Sequence, residues 1–175
     1  MSKTHLQVFL STAALLIATP YARGEQGLIT QKALSLDMAM SMAQGSLEKC
    51  RAGGYKCAVT VLDATGRTII AFQDDGANIH RFDVAKKKAY TALVYRKPSR
   101  EVVEDWSKKT AQGVPLQEGT MPNPPVEGTI DMGGGLPIMV GKEVIGAIAV
   151  SGAPGWPADE ACAQAGIAKV ADKLK

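Results

Sequence analysis

Val144-Ile-Gly-Ala-Ile-Ala-Val150 contains no polar side chain. Successive side chains of a strand point to opposite faces, so a strand that is apolar at every position must be covered on both sides. This run is therefore expected at the centre of a sheet. Leu136-Pro-Ile-Met-Val140 is a second apolar run, separated from the first by Gly141-Lys142. Two apolar runs split by a glycine turn predict an antiparallel β-hairpin. Gly133-Gly134-Gly135 precedes the hairpin and Ser151-Gly152-Ala-Pro-Gly155 follows it. Glycine tolerates positive φ and close backbone approach, so both ends are expected to bend hard or meet another surface.

The same stretch carries a family resemblance. Gly134-Gly-Leu-Pro-Ile138, then Gly141-Lys-Glu-Val-Ile-Gly-Ala-Ile-Ala-Val-Ser-Gly152, then Asp159-Glu-Ala-Cys-Ala-Gln-Ala-Gly166 resemble the GlcG/HbpS family of haem-binding or haem-degrading domains. A domain of this family also ends PduO-type corrinoid adenosyltransferases. Ala58-Val-Thr-Val-Leu-Asp-Ala-Thr-Gly66 and Asp83-Val-Ala-Lys-Lys-Lys-Ala-Tyr-Thr-Ala92 fit the same pattern in the same order. The resemblance runs over residues 34–175 and implies a single α/β (α+β) domain. Its profilin-like, GlcG-type antiparallel sheet would have about five strands with helices packed on it. Such a match is specific for fold and less so for activity.

Residues 1–24 read as a secretory signal peptide. Lys3 gives a positive n-region, residues 8–18 an apolar h-region, and Ala22 and Gly24 small residues at the cleavage site. Eleven apolar-rich residues are too few to span a bilayer, which needs about 20. Residues 25–33 then form an N-terminal extension, and the protein is expected to be periplasmic or secreted. Loss of Lys3 and Arg23 leaves 18 of the 20 Lys+Arg against 17 Asp+Glu, a net charge of +1 in place of +3. That balance provides no broad electrostatic footprint for nucleic acid.

Three helices are readable from apolar spacing, and a fourth, short one is expected to start within 101–109, after Pro98. The first covers 35–53, with Ser35 as N-cap and Leu36, Met40, Ala43, Leu47 and Cys50 on one face. A hairpin over 57–62 and 67–73 turns through Asp63-Ala-Thr-Gly66. A further helix over 82–96 has Phe82, Ala85, Ala89 and Ala92 on one face. The last covers 159–175, with Asp159 able to cap it and Ala163, Ile167, Val170 and Leu174 as its buried stripe. Residues 112–128 read as an irregular Pro-rich loop, a lid, a packing arm or a passive excursion.

Export would put the cysteines in an oxidising compartment. Cys50 and Cys57 bracket a helix-to-strand turn and are expected to be bridged, the alternative being two thiols packed as small hydrophobes; Cys162 is then the odd, free thiol. No Gly-x-Ser-x-Gly elbow, zinc spacing or Cys-x-x-Cys-His haem attachment is present. Removal of the leader takes His5 and leaves His80 as the remaining histidine. A lone histidine is commonly a surface or capping residue, but a neutral imidazole is also a standard axial ligand for haem iron. The resemblance implies haem as cofactor, with His80 on the iron and Arg81 or Lys88 paired with the propionates. It also implies a homo-oligomer, and for one relative a contact with a membrane sensor protein. Haem storage, sensing or degradation is one reading. A non-enzymatic signalling scaffold is a second, and a corrinoid or small-metabolite module a third.

Overall fold

The computed structural model describes residue 27 and residues 29–111 and 126–175. The expected signal peptide and most of the Pro-rich loop lie outside the described residues. The chain divides into residues 1–31 and a body of residues 32–175, and the account below concerns that body.

Four strands are described: β1 (Ala58–Asp63), β2 (Thr68–Gln73), β3 (Gly135–Val140) and β4 (Glu143–Ser151). They form one antiparallel sheet in the order β2-β1-β4-β3, where a sheet of about five strands is expected. β4 pairs with β1 along one edge and β3 along the other, as an all-apolar run requires. Four helices surround the sheet: α1 (Leu36–Ala52), α2 (Arg81–Tyr95), α3 (Ser99–Ala111) and α4 (Trp156–Ala168), followed by a 3-10 turn over Ala171–Lys173.

The alternation of side chains along the two central strands separates two cores. Val59, Val61, Ile148 and Val150 join the larger core with Met42 of α1 and Ala163 of α4. Leu62, Ala147 and Ala149 face the other way, onto Ala89 and Ala92 of α2. Small residues on both sides of that second layer bring α2 close to the sheet. A Cβ at Gly135 would strike the backbone carbonyl of Lys88. The glycine run before β3 therefore has a steric reason, because α2 leaves no room for a side chain there.

Asp63 organises the β1–β2 turn. Its Oδ1 accepts from the Thr65 amide at 2.8 Å, the Thr65 hydroxyl at 2.7 Å and the Arg67 amide at 3.0 Å. Ser35 caps α1 as expected, accepting from the Met38 amide at 3.2 Å. The buried face of α1 is rotated from the expected stripe: Ala39 and Met42 are fully buried with Ala43 and Cys50, while Leu36 is 55% exposed. The cause is that α1 packs on α4 as well as on the sheet. At the α1–α4 crossing a Cβ on Gly166 would strike Ser46 Oγ and the Met42 carbonyl, so the two helices approach closely. The last helix also differs from expectation. It begins at Trp156, after Gly155 with φ 85°, so Asp159 lies inside its first turn and is not its cap.

That helix pair decides the disulfide. Cys50 of α1 is bridged to Cys162 of α4 with Cα atoms 5.5 Å apart, which corrects the expected Cys50–Cys57 bridge. Cys57 is a free, buried thiol at the start of the sheet, its pKa pushed up to about 11 by burial and by the nearby Asp159 and Asp74 carboxylates. The bridge spans a sequence separation of 112 residues. On the chain-entropy account a loop that long stabilises by on the order of 4–5 kcal/mol.

Two measurements follow from this arrangement. Alkylation without reductant should label no cysteine in the native protein and Cys57 alone in denaturant, and peptide mapping should recover a 50–162 cross-link. A 50–57 cross-link would contradict the structure. Separately, Asp74 accepts from Arg51 Nη2 at 2.7 Å, and this hydrogen bond holds its carboxyl below the ordinary range. A lowered folded-state pKa gives stability that is present above the unfolded value and lost as pH falls through the folded one. Arg51→Ala should therefore flatten the acid limb of a stability-versus-pH curve below about pH 4 and leave its neutral limb parallel to wild type.

Candidate functional site on the second helix

α2 has two chemically different faces. The inner face carries Ala85, Lys88, Ala89, Thr91 and Ala92, all buried against the sheet. A lysine in that row needs a partner, because an unpaired buried ammonium is costly. Lys88 Nζ lies 2.7 Å from Asp159 Oδ2 and donates to the Val150 carbonyl at 3.3 Å. Asp159 Oδ1 accepts from the Ala153 amide at 2.9 Å. The side chains are 3% and 4% exposed, so the pair is sealed from solvent. Burial raises the Asp159 pKa above its ordinary value, outweighing the Lys88 ammonium and the Ala153 N–H that favour the carboxylate. Gly134, with φ 118°, closes over the pair, and a Cβ there would sit 3.0 Å from both Lys88 Nζ and Asp159 Cβ.

Of the three residues expected to hold haem, the structure separates one from the others. Lys88 spends its ammonium inside the protein and presents none to a propionate. Arg81, half-buried at the start of α2, acts electrostatically on the Asp159 carboxylate and the Cys57 thiol. His80 is exposed at the N-terminal end of α2. Its Nδ1 is 2.7 Å from Asn78 Oδ1. The amide oxygen can only accept, so the proton is assigned to Nδ1 and the Nε2 lone pair is left available. Ile79 on one side of His80 is 85% exposed and Phe82 is 39% exposed. An imidazole hydrogen-bonded through Nδ1 thus has two uncovered apolar residues close to it in the chain.

The outer face of α2 borders two cavities. One, of about 460 Å³, is bounded by Asp83, Lys86, Lys87 and Tyr90 together with Glu127 and Gly128. The other, of about 270 Å³, runs between Tyr90, Leu93 and Arg96 on one side and Thr65 and Val144 on the other. Thr91 draws residues 126–130 onto the helix: Ile130 N donates to its Oγ1 at 2.9 Å. This brings Gly128 against the ring of Tyr90, a Cβ there lying 3.2 Å from Cδ1. Tyr90 stands well inside a helix, which by sequence argues against a ligand role, yet its ring borders both cavities. The spacing 83, 86, 87, 90 marks one helical face and was the available signal. Among the described residues no group of three or more His, Cys, Asp or Glu side chains could hold a metal ion.

Over residues 34–168 the sequence matches the family described as "Haem degrading protein HbpS-like". The fold is similar to the crystal structure of a doubly substituted HbpS from Streptomyces reticuli, with a TM-score of 0.70 and 31% identity over 90% of this chain and 97% of that one. A complex of PduOC with heme shares the fold, with a TM-score of 0.63 and 19% identity over 79% of this chain and 95% of that one. A 15.0 kDa uncharacterized protein from the dhaT-dhaS intergenic region of Citrobacter freundii is 29% identical over 119 residues, which is 68% of this chain and 80% of that protein.

The buried pair gives a stability test. Removing one partner of such a pair leaves an uncompensated charge and costs about 3–5 kcal/mol. Asp159→Asn is expected to destabilise by that amount in urea unfolding, and Lys88→Met added to it should recover part of the loss. Strictly additive single and double variants would show that the two side chains do not act as a unit.

Proposed function

The chain belongs to the HbpS-like haem-degrading protein family, and from that premise we propose that it binds haem non-covalently, with His80 as the ligand to iron. The observation that carries this reading is the state of His80: exposed, its Nδ1 proton committed to Asn78, and flanked by the uncovered Ile79 and Phe82. A metal-binding histidine usually has its second nitrogen fixed in this way, which orients the ring and raises its basicity. The two apolar side chains would lie against the macrocycle. Lys87 is seven residues further on, on the same side of the helix and about 10 Å along its axis. Its ammonium, with that of Lys86, replaces Lys88 as the candidate partner of a propionate. Bound haem would supply iron for storage, sensing or breakdown, and the chain would supply orientation and charge.

These groups form one wall. A second copy of the chain would cover the other side of the macrocycle, so the proposal includes a homo-oligomer; contact with a membrane sensor protein is compatible with it. An exported, periplasmic or secreted protein is supported by the N-terminal pattern and by the Cys50–Cys162 bridge, since disulfides persist in oxidising compartments.

The test is a haem titration of the exported chain followed at the Soret band. Wild type should saturate. His80→Ala should shift the Soret maximum and weaken affinity tenfold or more, a loss of about 1.4 kcal/mol or greater, with unchanged circular dichroism. Absence of a saturating band in wild type would reject haem binding. Identical spectra and affinities for the two proteins would reject His80.

A further inference from the structure

We propose that the groove over Tyr90 is a second binding site, independent of His80, for a planar ligand carrying a carboxylate. The two cavities of about 460 and 270 Å³ have Tyr90 as a common lining residue. The ring is clamped by its edges. A Cβ at Gly66 would lie 2.9 Å from Cε2, and one at Gly128 3.2 Å from Cδ1. Both glycines have positive φ, 84° and 87°, so neither flanking position readily takes a side chain that would cover the ring. The ring thus has a backbone segment close to each edge and lines both cavities, the placement a stacking platform requires.

The far end of the groove supplies the charge. Arg96 ends α2 in the left-handed conformation with φ 54°, the sole non-glycine residue among those described with positive φ. Glycine would fill that position without strain, and strained backbone retained beside a cavity is a pointer to function. No ion pair among the described residues engages Arg96. Its guanidinium borders the smaller cavity and offers forked donors matched to a carboxylate. Leu93 and Val144 give that cavity an apolar wall, and Val94 is 38% exposed. A carboxylate on Arg96, a ring on Tyr90 and an apolar edge on Leu93 and Val144 describe an aromatic carboxylate.

The experiment titrates 2-naphthoate into the exported chain, free and haem-loaded, by isothermal calorimetry. One naphthoate should bind per chain. Arg96→Gln should weaken binding tenfold or more and Tyr90→Leu about threefold. His80→Ala should leave it unchanged, and haem-loaded protein should bind as the free protein does. Arg96→Gly, which suits the backbone conformation, provides a variant that loses the guanidinium without loss of fold. No saturable binding at millimolar naphthoate, or undiminished binding by both Arg96 variants, overturns the proposal. Displacement of naphthoate by stoichiometric haem also overturns it, by making the groove part of the haem site. Failure of haem to bind at all leaves the naphthoate results readable on their own.

Discussion

The buried ion pair between Lys88 and Asp159 joins elements that lie far apart in the chain, and the arrangement around one end of the sheet depends on it. Lys88 comes from the middle of α2 and Asp159 from the first turn of α4. The same two side chains bond the Val150 carbonyl and the Ala153 amide, which lie at the end of β4 and in the loop beyond it. A charge pair taken out of water is not by itself a source of stability, because desolvation offsets the attraction. Its physical consequence is a requirement of geometry: either partner alone would be far costlier than both. The glycine run before β3 and the glycine-rich turn after β4 bend around this pair, and α2 is fixed against the sheet at one rotation about its axis.

That fixed rotation sorts the chemistry of α2. With Ala85, Lys88, Ala89 and Ala92 turned inward, the residues three and four positions apart on the opposite side face outward. Asp83, Lys86, Lys87 and Tyr90 thereby border open cavities. Of the three adjacent lysines, one is structural and two are available to anions. His80 sits at the junction where the helix begins, exposed and outside the buried row. The same helix thus carries a stabilising pair inside, an imidazole at its tip and a charged aromatic groove along its outer side.

Much of the scaffold was legible in the residues. The all-apolar run of β4 fixed its place at the centre, the glycine turn at Gly141 fixed the hairpin, and Asp63 with Gly66 fixed the turn between β1 and β2. The expected bounds of α2 differ from the observed ones by one residue at each end. These features are local: strand period, turn chemistry and capping act within a few residues. The site was less legible. His80 was identifiable as the remaining histidine, but the role assigned to Lys88 was displaced because nothing near it in sequence announces Asp159. Tyr90 lies in the middle of a helix along the chain, yet its side chain lines both cavities, because the inward row of α2 leaves that position on the outer side.

The cysteines show the division most clearly. Sequence alone determined that three thiols were available and that two of them bracketed a turn between α1 and β1. Proximity along the chain favoured joining those two. Tertiary structure paired Cys50 with Cys162 instead, because Gly166 and Ser46 let α4 lie close along α1 and bring the two Cα atoms to 5.5 Å. Cys57, only seven residues from Cys50, enters the sheet and is buried. Local order, from patterning and turn chemistry, was written in the sequence. Which distant side chains met was decided by the packing of helices on both faces of the sheet, since contact depends on distance in space and helix rotation, and neither is a function of sequence separation.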